Sequence, residues 1–357
     1  MTDLTAPEAD EFEVSVFGKG IGECCVIHVG EGKWITIDSL LDDNRKPVAL
    51  SYLDAIGAKS GAIDLIALTH WHDDHVRGSS ALVEASPNAI VSYSAILRND
   101  EFRAAVQKLS PIETKAYSSG VREFSEIARI LRDRPTQTRI AVADRTLYRG
   151  NNVSVDALSP SDEDLQLFLS EVANWGAAND VGRVLPIPNR NDTSVVLIFD
   201  TGEDLLLFGA DLEVRSQLSG WQSVHDVYWG NRGTCSFYKV AHHGSPTGHY
   251  EPKWDNLLNP NVAAVLTPYG RGRKKLPGLN DIERINARTD RGYSAGSTDI
   301  LRGRKQNSTV EKTLREADIK LERLSDRLGQ VRLRKKIGEA DWRIETIGEA
   351  LSLAASA

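Results

Sequence analysis

Cysteine is scarce in this chain: Cys24, Cys25 and Cys235 are the only three in 357 residues. An odd number, with two of them sequence neighbours poorly placed to bond each other, cannot make a complete disulfide framework. That argues against a stapled secreted scaffold and fits a reducing compartment. Long hydrophobic runs are lacking too. No stretch approaches the roughly 20 continuous apolar residues of a membrane-spanning helix. The opening Met1-Thr-Asp-Leu-Thr-Ala-Pro-Glu-Ala-Asp-Glu11 is acidic where a signal peptide is basic and then apolar. We therefore expect a cytoplasmic protein with no membrane association. Nor is there an excess of positive charge. The formal net charge of -7 speaks against a general nucleic-acid binder, whose affinity comes from Lys and Arg neutralising phosphates, and leaves room only for a local basic groove. No internal repeat of fixed period is present.

What is present has globular proportions of apolar and charged residues. After a solvated tail over residues 1–11, Glu13–Phe17, Cys25–Val29 and Lys33–Asp38 have strand patterns joined through glycines, which predicts an opening β-meander. Helical spacing over Pro47–Ile56 leads to the apolar run Ile63–Thr69, suited to a buried strand. A helix is expected over Gly78–Glu84, a strand over Ala89–Tyr93, and charged helix between about Ile96 and Leu131. Further strands are expected at Val153–Leu158, Ser194–Phe199, Asp204–Phe208, Phe237–Ala241 and Val262–Leu266, with helices over Leu165–Trp175 and Leu279–Ala287. A charged helix over Thr309–Leu328 and a hairpin of Gln330–Arg334 with Trp342–Thr346 close the chain. Mixed strands and helices of this kind predict one α/β domain in which helices cover sheets.

Chemistry concentrates where strands end. His70 and His72, two apart just beyond a strand, point to the same side of an extended chain, and Asp74 and His75 follow where a helix should begin. Imidazole and carboxylate together suit a divalent transition metal. His242-His243 again directly follows a strand, and Asp211 follows the apolar run Leu207-Phe-Gly-Ala, where it could also cap a helix. His28 sits among apolar neighbours as a core residue, and His225 has no motif around it.

His70-x-His72-x-Asp74-His75, Gly209-Ala-Asp211 and His242-His243-Gly244-Ser245, in that order, resemble the metal motifs of the metallo-β-lactamase superfamily. Gly20-Ile-Gly22 followed by Lys33–Asp38 resembles the opening hairpins of that fold. Asn191-Asp192-Thr-Ser194-Val-Val-Leu197 with Val240–Ser245 is most similar to one branch, which includes the hydrolase domain of bacterial competence DNA-uptake channel proteins. Some relatives there act on phosphodiesters. The resemblance covers residues 12–270 and implies an αββα sandwich, two mixed β-sheets flanked by helices, as the catalytic domain. Residues 271–357 are then a C-terminal extension packed on the same domain.

Carried across position by position, the resemblance implies that His70 and His72 bind a first metal, Asp74 and His75 a second, and Asp211 both. Either His242 or His243 completes the second site. Many members add a histidine to the first metal from a loop before the bridging aspartate, yet no histidine occurs here between His75 and His225. Asp192 or Asn191 stands at about that place, so oxygen could replace nitrogen. The implied cofactor is Zn²⁺, one ion or two, and an oxygen-rich first site shifts preference toward Mn²⁺.

The expected function is hydrolysis by a metal-bound hydroxide, because a metal lowers the pKa of bound water to about 7. Asp74 would help orient it. The leaving group could take its proton from whichever of His242 and His243 is not a ligand, or from His249. The expected substrate is a phosphodiester, in a small phosphorylated molecule such as a nucleotide or in nucleic acid, with Arg271, Arg273 and Lys274 along its path. The same chemistry would serve a thioester, lactone or lactam hydrolase. The third alternative is a non-catalytic metal-binding protein that docks a partner through its helical C-terminal region.

Overall fold

The computed structural model describes residues 4–95, 118–134, 137–180, 190–216, 218–270, 275–297 and 327–356. The meander forms as expected, with β1 (Glu11–Gly18), β2 (Glu23–Val29) and β3 (Trp34–Ile37) pairing antiparallel. Their side chains are buried on both faces, so β2 and β3 read as nearly continuous apolar runs, whereas β1 alternates and buries Glu13 and Ser15, hydrogen-bonded to each other, on its second face. The chain continues through α1 (Val48–Ala55), β4 (Ile63–Leu68), α2 (Asp73–Val76), α3 (Ser79–Ala85), β5 (Ile90–Ser94), α4 (Ser118–Arg132) and β6 (Thr138–Ala141). Strands β3 to β6 are parallel neighbours, so helical crossovers must return the chain between them.

The second half runs β7 (Arg145–Arg149), β8 (Ser154–Ala157), α5 (Asp162–Asp180), β9 (Leu197–Asp200), β10 (Leu205–Phe208), α6 (Gly220–Ser223), β11 (Cys235–Lys239) and α7 (Glu251–Asn256). It then runs β12 (Leu258–Leu266), α8 (Leu279–Asn286), β13 (Gly292–Ser294), β14 (Gly329–Lys336), β15 (Arg343–Gly348) and β16 (Leu351–Ser352). Two eight-stranded mixed sheets result, ordered β15-β14-β1-β2-β3-β4-β5-β6 and β16-β13-β12-β11-β10-β9-β8-β7. The closing hairpin adds to the first sheet along β1.

Between the sheets lie Val14, Ile27, Val155, Phe199, Phe208 and Phe237, all buried. Truncating such a phenylalanine to alanine costs about 3–5 kcal/mol. The outer faces carry their own layers, Leu53, Leu82 and Ile127 on the first sheet and Trp221, Tyr238 and Trp254 on the second. This is the expected αββα sandwich of helices on two packed sheets. Strands β6, β7, β13 and β16 went unpredicted because each is short and interrupted by polar or glycine residues, whereas equally short strands such as β9 and β10 are nearly continuous apolar runs. Arg271, Arg273 and Lys274 lie outside the described residues, as does all but the end of the helix expected over Thr309–Leu328. Among the described residues no helix is long and apolar enough to cross a membrane.

Candidate metal centre

The carboxyl ends of β3 and β4 in one sheet, and of β10, β11 and β12 in the other, open toward the same end of the sandwich. The registers Ile37 with Ala67, Phe208 with Lys239 and Lys239 with Val265 bring the following residues side by side. Asp38, His70, Asp211, His243 and Thr267 therefore emerge together, as expected at the ends of parallel strands. Glu23 joins them from the start of β2, because antiparallel pairing places it at the same end as Asp38. Gly209 allows the close approach of β10 and β11, since a Cβ there would lie 3.0 Å from both the Lys239 carbonyl oxygen and the Ala241 Cβ.

Two groups of metal-capable side chains result among the described residues, each with ligand atoms within 4.8 Å of one another: Glu23, His75, Asp211 and His243; and His70, His72 and Asp211. In the first, His75 Nε2 is 3.5 Å from Asp211 Oδ1 and 3.7 Å from Asp74 Oδ2. His243 Nε2 is 3.3 Å from Asp74 Oδ2 and 3.6 Å from Asp211 Oδ2. In the second, His70 Nε2 is 3.0 Å from His72 Nδ1 and 3.7 Å from Asp211 Oδ2. Ligands on a tetrahedral ion with bonds of about 2.1 Å stand roughly 3.4 Å apart, so these spacings fit a cation between the atoms.

Hydrogen bonding says which nitrogens face inward. The Thr69 hydroxyl donates to Asp38 Oδ2 at 2.8 Å, so its contact with His70 Nδ1 at 3.0 Å must be a bond that the imidazole donates. His75 Nδ1 donates to Asp38 Oδ2 at 2.7 Å, and His243 Nδ1 to the Thr267 carbonyl oxygen at 3.1 Å. With the proton on Nδ1, the neutral ring of each leaves a lone pair on Nε2, aimed at carboxylate oxygens that also only accept. His75 Nε2 and Asp211 Oδ1 are buried with no hydrogen-bond partner. Facing acceptors of this kind need a cation, so the residues fit a divalent metal.

The electrostatics mark the same spot as one where the carboxylates favour positive charge, on the His75 ring itself when no ion is bound. Burial alone would pull His75 down, but Asp211, Glu23, Asp38 and Asp74 hold its pKa well above the usual range. Burial would raise Asp211, but His243, His75 and His70 hold it well below the ordinary carboxylate value. For His70, burial together with His75 and His72 drives the pKa far down.

The other candidates sit elsewhere. His242 is left out of the cluster: its Nδ1 is 3.0 Å from both Glu213 Oε1 and Thr247 Oγ1, and its Nε2 is 3.3 Å from Asn191 Nδ2. Both histidines have left-handed backbones, φ 48° and 53°, a strained run that costs about 1–3 kcal/mol per residue. The bonds His242 N to Ala210 O at 2.9 Å and Ser245 N to His242 O at 2.8 Å hold it. Asp192, expected as a substitute ligand, is in neither group, and its carboxylate is ion-paired with Arg215. Burial raises its pKa to about 7 against the pull of Arg215. His249, a candidate proton donor, stacks on Trp254, accepts from the Trp254 indole at 3.1 Å and pairs with Glu251 at 3.1 Å. Burial, then Lys253, Arg284 and Arg288, lower its pKa to about 3, too low to donate near neutrality. His28 is a satisfied core residue as expected, donating to Glu11 O at 2.6 Å and accepting from Gly32 N at 3.0 Å.

Sequence reasoning missed Asp38 and Glu23 as members of the site. The one signal for Asp38 is a carboxylate just past an apolar strand, the same signal that marked Asp211, whereas Glu23 opens its strand and carries no such signal.

The metallo-beta-lactamase superfamily profile matches residues 18–245, well over half of the chain, so this protein belongs to that superfamily. Comparison with curated proteins gives no match. Among solved structures, YhfI from Bacillus subtilis, a metallo-beta-lactamase fold protein, is similar at 12% identity and a TM-score of 0.35, over 65% of this chain and 70% of that one. MEM-A1, a subclass B3 metallo-beta-lactamase from a soil metagenome library, is similar at 15% identity and a TM-score of 0.37, over 68% and 80%. SMB-1, a metallo-beta-lactamase solved with mercaptoacetic acid, is similar at 15% identity and 0.38, over 71% and 84%. The chain is accordingly read as a metal-dependent hydrolase.

Proposed function

We propose that this chain hydrolyses phosphodiester bonds in a small phosphorylated molecule such as a nucleotide, with two divalent ions, zinc or manganese, held by the cluster. The carrying observation is the set of inward-facing Nε2 lone pairs against the oxygens of Asp74 and Asp211. His75, His243, Asp74 and one oxygen of Asp211 would hold one ion, and His70, His72 and the other oxygen of Asp211 the second. Buried charge supports two ions. With neutral imidazoles, the carboxylates of Glu23, Asp38, Asp74 and Asp211 face one buried lysine, Lys239, leaving three negative charges, more than one divalent ion balances. Bound there, such ions act as Lewis acids and bring the pKa of bound water near 7.

The protein's own groups do the rest. Asp74, whose carboxylate stands between the His75 and His243 rings, orients the attacking water. His242, outside the cluster with Glu213 on Nδ1, is the group that protonates the leaving oxygen. Glu213 raises its pKa against the opposing effect of burial. The resemblance of Asn191–Leu197 and Val240–Ser245 to the competence-channel branch favours a phosphodiester. The negative net charge favours a small substrate over long nucleic acid.

The test is a substrate panel on zinc- and manganese-loaded protein: bis-p-nitrophenyl phosphate and cyclic or linear dinucleotides against thioester and lactone substrates. Phosphodiester turnover that vanishes in His72→Ala/Asp74→Ala supports the proposal. Acyl turnover with phosphodiesters inert replaces it with a thioester or lactone hydrolase. Biological activity that survives the double substitution points to a non-catalytic protein.

A further inference from the structure

Behind the cluster lies an ion pair that the proposed chemistry does not use. Glu23 on β2 and Lys239 on β11 point inward from opposite sheets, as do their neighbours Cys25 and Phe237 in the inter-sheet core. Lys239 Nζ donates to Glu23 Oε2 at 2.8 Å and to the Val240 carbonyl oxygen at 3.3 Å, and both side chains are buried. The Thr267 hydroxyl, at the end of β12, donates to the same Glu23 oxygen. Thr267 in turn faces His243, whose Nδ1 is 3.1 Å from its carbonyl oxygen and 3.3 Å from its hydroxyl. The other Glu23 oxygen lies 3.7 Å from His75 Nδ1.

Glu23 is therefore on the Nδ1 side of both imidazoles, whereas Asp74 and Asp211 are on the Nε2 side. One Glu23 oxygen is already shared by an ammonium and a hydroxyl. That is the place of a support and not of a ligand. Through Thr267, from the other sheet, Glu23 does for His243 what Asp38 does through Thr69 for His70.

We infer that Glu23, Lys239 and Thr267 are positioning residues that join the two sheets behind the cluster and fix the ring and tautomer of His243, so that its Nε2 lone pair faces Asp74 and Asp211. An outer partner of this kind typically changes metal affinity by 10–100-fold. Removing Lys239 alone would leave Glu23 as an uncompensated buried charge, and removing Glu23 alone would strand Lys239. Changing both to neutral groups of similar size separates positioning from bare charge.

The inference rests on the proposed two-ion reading, and the experiment keeps the two apart. Zinc is titrated into the full chain, with a chromophoric chelator competing, for wild type, Glu23→Gln/Lys239→Met and Thr267→Val, with circular dichroism and thermal unfolding recorded on each apoprotein. We expect two ions on wild type. We expect the double variant to fold, to lose about 10–100-fold in affinity for one ion and to keep the other near wild type. Thr267→Val, which keeps the carbonyl bond to His243, should lose less for the same ion. Wild-type affinity for both ions in a folded double variant overturns the inference and leaves the two-ion reading intact. If the double variant does not fold, Thr267→Val decides, and unchanged affinity there overturns it. No zinc on wild type removes the underlying reading itself, and the inference with it.

Discussion

The two halves of the cluster are built differently. His75, Asp74, Asp211 and His243 draw on both sheets, and the Nδ1 atoms of both imidazoles are engaged behind them, at Asp38 and at Thr267. His70 and His72 come from a single loop after β4 and are grouped, among the described residues, with Asp211 from across the sandwich. The residue expected to complete that half, Asp192, is held by Arg215 instead. A ligand set closed by residues from several elements loses little freedom when an ion arrives, whereas an open set must supply its last ligand from water or substrate. On the proposed reading, one half is a retained site and the other an exchangeable one that substrate can enter.

The largest effect should come from removing what the halves share. Asp211→Ala should lower metal affinity on both sides and reduce hydrolysis by more than the roughly 100-fold upper range of an outer-shell change, measured as ions per chain and kcat/KM. Retention of both ions would break the comparison at its centre. Asp38→Asn weakens the acceptor for His75 and the link through Thr69 to His70, so affinity for both ions should fall by about 10–100-fold. His72→Ala should touch one half only. One ion per chain should remain on a folded protein, and in wild type stepwise chelation should strip that same ion first. Equal, simultaneous loss of both ions would erase the distinction.

The smallest effect concerns a histidine outside both halves. His249→Gln should leave ion count and turnover within about twofold, because its ring is tied to Trp254 and Glu251. It should instead change stability against pH. Folded His249 stays neutral down to about pH 3, while in the unfolded chain it titrates near 6.5. Below 6.5 the unfolded state takes a proton that the folded state refuses. This contribution is therefore complete above pH 6.5 and lost as pH falls toward 3. Thermal melts of the variant should show a shallower acid slope over that window, reduced in size because the ring is partly solvent-screened.

Much of this was legible along the chain. An α/β domain with helices covering sheets follows from apolar runs alternating with helical spacing, the αββα arrangement follows from the resemblance carried by the metal motifs, and the ligand-bearing stretches announce themselves as His and Asp just past strand ends. These are local signals, since burial on both faces of a strand writes itself into consecutive residues. Short strands such as β13, with three residues, carry too little pattern to be read this way.

The sequence by itself determined which side chains could ligate: His70, His72, Asp74, His75, Asp211 and the pair His242-His243. Only the tertiary structure decided which histidine of that pair faces the cluster. It also took Asp192 and His249 away from the site and brought Glu23 and Asp38 to it. The reason is that an imidazole offers a metal whichever nitrogen its other partner leaves free. That partner comes from a distant strand, Asp38 for His75 and Thr267 for His243, which register and sheet packing bring near but neighbouring residues do not encode.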